Sequence, residues 1–82
     1  MPRFYFHIYF DKMMARDEDG MELQTFLDAL VEAEQSARDI REEAQGQGLC
    51  DADAVVQIVE ASGTLFDVVP VFPEKARPRV MH

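Results

Sequence analysis

The stretch 25-TFLDALVEAEQSARDIREEAQ-45 is the one segment of this sequence that is long enough and periodic enough to predict a helix. Its apolar residues recur at alternating intervals of four and three, which places them on one stripe of a helical surface. Thr25 is suited to cap the start of the helix, and Gly46 and Gly48 predict its end. Half of the stripe is alanine, so a flat β-sheet can pack close to the helix axis. The predicted stripe comprises Phe26, Leu30, Ala33, Ala37, Ile40 and Ala44.

Strands are predicted before this helix. The segment from Phe4 to Phe10 alternates an apolar face with a face of Tyr5, His7 and Tyr9, which is the period-two pattern of a strand. After an acidic turn that ends in Asp-Gly, the segment from Met21 to Gln24 predicts a short second strand leading into the helix. The apolar face of the first strand is therefore expected to pack against the helical stripe.

A hairpin is predicted after the helix. The segments Val55 to Glu60 and Thr64 to Phe72 are strand-like and flank a short loop that contains Ser62-Gly63. Prolines from position 70 onward prevent a long regular strand, so residues 73–82 are interpreted as a basic, proline-containing tail. Together these elements predict a single α+β domain over residues 1–72. Its order is β-β-α-β-β in two layers, an antiparallel sheet with one amphipathic helix packed on one face.

Two registers are open to this hairpin. A two-residue loop would put Ile58 opposite Asp67, whereas a three-residue loop pairs Ile58 with Phe66 and Val56 with Val68. The second register gives a clean apolar face, and its loop ends in a glycine that adopts the left-handed conformation. We therefore expect the three-residue loop.

Length and charge restrict the function. A chain of 82 residues is near the lower limit at which one hydrophobic core suffices, so oligomerisation is expected. The net charge of −8 repels phosphate backbones and anionic membranes, which makes nucleic acid an unfavourable partner and membrane binding unexpected. Cys50 is the single cysteine and has no disulfide partner in the chain, and the apolar N-terminal run is too short to span a bilayer. A cytoplasmic protein is expected.

Several motifs recur in a known family. The chain opens with Met1-Pro2-Arg3 and an aromatic strand, continues with the turn Asp17-Glu18-Asp19-Gly20, and carries Ala29-Leu30-Val31-Glu32-Ala33 in its helix. With the glycine-centred hairpin, these features resemble a family of short uncharacterised bacterial proteins of unknown function, common in rhizobia and other alphaproteobacteria. The likeness covers about residues 1–72 and implies the same architecture. It implies no activity, catalytic residue or cofactor.

Two further hypotheses compete with a simple interaction module. A proline after the initiator methionine, followed by a strand, is similar to the tautomerases, in which an N-terminal proline such as Pro2 acts as a general base. The acidic connection and the second strand depart from that family's pattern. Two antiparallel strands before a helix also resemble antitoxins of the HicB type, and in such a protein the basic tail could contact a partner or DNA.

Metal and thiol chemistry have little support. The acidic residues between positions 11 and 22 lack the spacing of a calcium-binding loop and are interpreted as a solvated turn. His7 has no recognisable nucleophile or carboxylate partner in the sequence. Cys50 lies beside two aspartates, which raise a thiol pKa and make it a poor nucleophile. No catalytic residue, metal site or cofactor is therefore predicted.

The second face of the sheet gives the leading hypothesis. One face receives the helix, and the other is more apolar than an isolated monomer usually exposes, with no second helix left to cover it. We therefore predict a homodimer, or binding of another protein, through this face. The chain is interpreted as a small interaction or regulatory module rather than an enzyme. In the alternative, the connection after the first strand or the tail folds over this face. The predicted interface residues are Tyr5, His7, Tyr9, Val55, Val59, Leu65 and Val69.

Overall fold

The computed structural model describes residues 2–48 and 53–72, and within them it contains five strands and one helix. The predicted two-layer α+β fold is confirmed, since an antiparallel sheet packs one face against the helix. Cys50 and the predicted tail over residues 73–82 lie outside the described residues. In chain order the elements are β1 (Arg3–Phe10), β2 (Met13–Ala15), β3 (Met21–Glu22), α1 (Phe26–Gly46), β4 (Ala54–Glu60) and β5 (Leu65–Pro70).

The sheet is built around the antiparallel pair of β1 and β4. Their register is unbroken from Phe4 opposite Glu60 to Phe10 opposite Ala54. On the far side of β4 lies β5, while the short strands β2 and β3 both pair with the other edge of β1. The second strand predicted over residues 21–24 is present as β3, and β2 is an additional short strand before it. Because β3 and β4 both run antiparallel to β1, α1 connects two parallel strands by crossing over β1.

Helix α1 begins and ends where the sequence predicts. The hydroxyl of Thr25 accepts a hydrogen bond from the N–H of Asp28 at 3.1 Å, which satisfies a donor that has no partner inside the helix. At the other end Gly48 adopts a φ of +84° and its N–H donates to the carbonyl of Gln45. The alanines of the predicted stripe are buried, and Ala29 joins them.

The core lies between α1 and the helix-facing side of β1, β4 and β5. Small alanine side chains on the helix let the larger residues of the sheet fill the space, and Val56 and Ile58 are completely buried there. Burying each of these side chains contributes about 1.5–3 kcal/mol of hydrophobic stabilisation. The buried residues are Phe4, Ala29, Ala33, Ala37, Ala44, Ala54, Val56, Ile58, Val71 and Phe72.

The β4–β5 hairpin has the predicted loop. The N–H of Gly63 donates to the carbonyl of Glu60 at 2.8 Å, and the N–H of Glu60 donates to the carbonyl of Thr64 at 3.0 Å. Gly63 has a φ of +96°, the left-handed conformation that a three-residue loop requires. Next to this loop Val59 lies opposite Leu65, in the expected register.

Beyond this first pair the predicted register is wrong. The expected pairs of Ile58 with Phe66 and of Val56 with Val68 do not form, because a β-bulge shifts the strand by one residue and places Ile58 opposite Asp67. The bulge inserts the extra residue on β5, immediately after the pair that adjoins the loop. Every residue of β5 after the bulge therefore has its side chain on the opposite face of the sheet from the one predicted.

The bulge puts two large residues of β5 on the helix side. The Phe66 ring packs between those of Phe4 and Phe26, with ring centroids 5.6 and 5.1 Å away. Three residues later Val69 lies opposite Val56 and packs against the core. Two inward residues three positions apart on one strand require an extra residue between them.

The outer edge of β5 lacks free N–H donors at two positions. The N–H of Val71 donates to the carbonyl of Ala54, so alternation directs the N–H groups of positions 70 and 68 away from β4. Position 70 is proline and has no N–H, and the Val68 N–H is covered by the Asp67 carboxylate at 2.7 Å. Neither position offers a free donor to another strand.

Candidate interface on the outer sheet face

The side of β1, β4 and β5 that faces away from α1 forms an ordered array of three rows. Strand register places one residue from each strand in every row. None of the nine residues is Asp, Glu, Lys or Arg, although 29% of the whole chain is charged. We call this array the outer sheet face, and its rows are Tyr5–Val59–Leu65, His7–Gln57–Val68 and Tyr9–Val55–Pro70.

Six of the seven predicted interface residues lie on the outer sheet face, and the exception is Val69. Val69 was expected on this face, but the bulge turns it toward the helix and places Val68 on the outer side instead. Leu65, Val68 and Tyr9 are exposed, whereas the remaining residues of the face, such as Val55, are partly covered by their neighbours. That these residues form an interface remains a prediction.

Asp17 closes the gap between β2 and β3 along the edge of β1. Its Oδ2 accepts the N–H of Phe6 at 3.1 Å, where a neighbouring strand would otherwise supply a carbonyl. Its Oδ1 accepts the N–H groups of Gly20 at 3.1 Å and Asp19 at 3.3 Å, which tightens the acidic turn. One carboxylate therefore joins the turn to the sheet.

The electrostatic state of Asp17 follows from these bonds. Burial on its own raises the pKa of the carboxyl group, because it disfavours the charged form. The N–H groups of Phe6, Gly20 and Asp19, together with the charge that His7 carries when protonated, lower the pKa by more. The net pKa of Asp17 lies below its ordinary value, so the folded chain favours the carboxylate.

His7 is oriented by the same turn. Its Nδ1 accepts the backbone N–H of Asp17 at 3.1 Å, so the neutral imidazole carries its proton on Nε2. The ring centroid lies 6.4 Å from that of Tyr5, two positions away on the same face. The fold thus brings His7 next to an aspartate that the linear sequence did not reveal. The hydrogen bond between them is made by the backbone N–H of Asp17 and not by its carboxylate.

Gly20 allows the turn to approach β1 closely. Its φ is +72°, and a Cβ at this position would come within 2.9 Å of Arg3 Cγ and Tyr5 Cε2 and within 3.0 Å of the Phe4 carbonyl oxygen. A side chain there is excluded by both conformation and space. The Arg3 guanidinium holds the turn from the other side by donating to the carbonyl of Asp19 at 2.8 Å.

The turn and the hairpin loop enclose a shallow hollow of about 360 Å³ at one corner of the outer sheet face. Acidic, basic and aromatic side chains share its wall, so it has no single charge character. The turn borders the face at this corner and leaves Leu65, Val68 and Tyr9 more than a third exposed. The hollow is lined by Tyr5, His7, Arg16, Asp17, Glu18, Val59, Glu60, Ala61 and Gly63.

Comparison with known proteins places the chain in a family. A family model described as a domain of unknown function, DUF6894, matches residues 3–73, which include all five strands and the helix. The chain belongs to the DUF6894 family. No curated protein and no solved structure is significantly similar to it. Membership agrees with the predicted likeness to a family of unknown function, and the DUF6894 match supplies no activity or ligand.

The sequence of this DUF6894 chain also raised the questions of a catalytic Pro2, a metal site and a membrane-spanning segment. The carbonyl of Pro2 accepts the N–H of Leu23 at 3.0 Å, and Pro2 does not line the hollow described above. Arg3, the nearest arginine in the sequence, pairs with Glu22 at 3.0 Å. Within residues 2–48 and 53–72, no three His, Cys, Asp or Glu side chains converge to hold a metal ion. In the same part of the chain, no helix combines the length and apolar character needed to cross a bilayer.

Sequence reasoning missed the connecting role of Asp17. The spacing Asp17-x-Asp19-Gly20 is typical of an aspartate whose side chain bonds the backbone two and three residues later, and this signal was available in the DUF6894 sequence. The bonds to Phe6 and His7 bridge eleven and ten positions, and no local pattern predicts them.

Proposed function

We propose that this DUF6894 chain is a small interaction module that forms a homodimer through its outer sheet face. The observation that carries the proposal is the absence of Asp, Glu, Lys and Arg from all nine positions of that face. A chain with a net charge of −8 repels its own copies wherever its charged surfaces meet. When two copies meet through the outer sheet face, none of its nine residues brings a charged side chain into the interface.

The three rows are suited to meet a second copy of themselves. A twofold axis running along the middle row lays Tyr5–Val59–Leu65 of one copy over Tyr9–Val55–Pro70 of the other. Both outer rows present an aromatic and an aliphatic residue, so apolar surface meets apolar surface. The middle row meets itself, and the Gln57 amide can both donate and accept a hydrogen bond there.

Other parts of the described surface are less suited to self-association. The β5 edge offers no free N–H at positions 68 and 70, which argues against joining two sheets through that edge. The exposed side of α1 carries two apolar residues, Leu27 and Val31, next to acidic ones such as Asp28. Two copies meeting there would bring like charges together.

The test is the molar mass in solution, measured by sedimentation or light scattering over a dilution series. A series from about 1 mM to about 1 μM covers association free energies of about 4 to 8 kcal/mol. The expected result is a wild-type dimer, with dissociation of Val59→Lys and of Val55→Lys. Both positions are partly exposed in the single chain, so lysine is tolerated there in the folded monomer.

A matched control places the same lysine on the other side of the molecule. Val31 is 66% exposed on α1, and Val31→Lys is expected to remain a dimer. Circular dichroism of all three variants verifies that each is folded. A wild-type monomer throughout the series would contradict the proposal, as would a dimer that Val31→Lys dissociates and Val59→Lys does not.

A further inference from the structure

A second hollow lies between α1 and β5, and it shares no lining residue with the hollow at the corner of the outer sheet face. Its volume is about 350 Å³. The helix supplies one wall with two arginines and a glutamate, and the end of β5 supplies the other with apolar side chains. We call it the arginine hollow, and it is lined by Glu34, Ala37, Arg38, Arg41, Val69 and Pro70.

The two arginines are the notable feature of this hollow. Arg38 and Arg41 are three positions apart on α1, so their side chains extend from the same side of the helix. Among the described residues, only Arg3, Lys12 and Arg16 provide further basic side chains. In an acidic chain, two guanidinium groups in one hollow concentrate positive charge at one place.

Neither guanidinium is neutralised by an ion pair within the described residues, where the one recorded pair joins Arg3 to Glu22. Arg41 is half-buried and donates from Nη1 to the carbonyl of Val71 at 3.0 Å, which fixes its orientation and leaves its other N–H groups for a further acceptor. Arg38 is exposed, and no hydrogen bond to its side chain is recorded in this part of the chain.

The remaining walls restrict what the arginines can bind. Ala37, Val69 and Pro70 offer apolar surface beside the two guanidinium groups. Glu34 adds one negative charge, so that the three ionised side chains sum to a single positive charge. This favours a ligand with one negative charge and an apolar body. A planar carboxylate matches the paired N–H donors of a guanidinium.

We propose that the arginine hollow binds the carboxylate of a small, singly charged organic acid. Arg38 and Arg41 donate hydrogen bonds to the carboxylate, and the apolar part of the acid lies against Ala37, Val69 and Pro70. Glu34 repels ligands of higher negative charge. Of the nine residues of the outer sheet face, the proposal uses only Pro70, and neither arginine belongs to that face, so benzoate binding is tested separately from the oligomeric state.

The experiment is a titration of the full ¹⁵N-labelled chain at constant ionic strength, followed through the backbone amide shifts of residues 34–41, 69 and 71. Benzoate is the probe, benzamide is its neutral analogue of the same shape, and inorganic phosphate is the more highly charged anion. Benzoate is expected to give saturable shifts in these residues, with little effect of benzamide and weaker binding of phosphate. Absence of saturation with benzoate, or tighter binding of phosphate, would overturn the proposal.

Variants identify the groups responsible. Arg38→Gln removes an exposed guanidinium without disturbing the bond of Arg41 to Val71, and it is expected to weaken benzoate binding about tenfold. Glu34→Gln removes the repelling negative charge and is expected to tighten benzoate binding. Arg16→Gln removes an equal charge at the other hollow and is expected to leave binding unchanged. Equal losses in Arg38→Gln and Arg16→Gln would show only a general charge effect and would also overturn the proposal.

Discussion

At the scale of single residues, Asp17 links parts of the chain that are distant in sequence. Its two carboxylate oxygens accept from Phe6, Asp19 and Gly20, and its backbone N–H donates to His7. The acidic turn was interpreted from sequence as a solvated loop because most of its residues are charged. A single carboxylate inside it is structural, and that distinction depends on contacts with β1 that no local pattern contains.

Asp17→Asn is expected to lower the free energy of unfolding by about 1–2 kcal/mol at neutral pH, because one charge-assisted acceptor is replaced by an amide that has N–H groups of its own. The pKa of Asp17 is lower in the folded chain than in the unfolded chain. Its stabilising contribution is therefore complete above the unfolded value of about 3.9 and is lost as the pH falls through the lowered folded value.

Urea unfolding of the wild type and of Asp17→Asn, repeated from neutral pH down to about pH 2, measures this contribution. The wild type is expected to lose more stability on acidification than the variant does. Asp19→Asn is the control, because the Asp19 side chain is exposed in the same turn and accepts no hydrogen bond from residues 2–48 or 53–72. Equal pH dependence in all three proteins would contradict the role assigned to Asp17.

At the scale of elements, the helix and the hairpin differ in how far sequence predicts them. Helix α1 was predicted to within one residue at its start, because Thr25 caps it and its apolar stripe has one period throughout. In β5 the residues on both faces are apolar, so alternation cannot choose between registers. In the bulged strand Phe66 packs between the rings of Phe4 and Phe26, contacts between distant parts of the chain that no local pattern contains.

The alanine stripe sets the distance between the two layers. Ala33 is completely buried on the sheet-facing side of α1, and Ala33→Leu would insert three further carbon atoms at that contact. The expected effect is a loss of about 1–3 kcal/mol in the free energy of unfolding, from strain and displaced neighbours. Denaturant unfolding measures it. The control is Val31→Leu, at an exposed position on the same helix, for which a change below about 0.5 kcal/mol is expected.

At the scale of the whole molecule, the order of the strands could not be derived from sequence. Both hairpin patterns are local, whereas the central pairing of β1 with β4 joins segments separated by the entire helix. The faces of β1 were predicted correctly because its alternation is strict from Phe4 to Phe10. The arginine hollow had no sequence signal, since Arg38 and Arg41 meet β5 only through the fold.

Added salt gives a further test of the proposed dimer. Two copies with a net charge of −8 repel one another, and the outer sheet face places no salt bridge between its nine residues. Salt screens this repulsion, because the Debye length is about 10 Å at 0.1 M and becomes shorter as the salt concentration rises. The dissociation constant of the dimer is therefore expected to fall as salt is added. Sedimentation in dilute and in concentrated sodium chloride measures this. A dissociation constant that rises with salt would indicate an interface held by ion pairs.

The outer edge of β5 bears on how the protein behaves when it is concentrated. Leu65–Pro70 is a largely apolar strand at the margin of the sheet, and an exposed edge strand can pair with a strand of another chain. Here Pro70 and the Asp67 carboxylate remove the donors that an incoming strand would need at positions 70 and 68. Pro70 and Asp67 are therefore suited to a gatekeeper role, in which they disfavour the addition of a strand at this edge and the fibre growth that such addition can start.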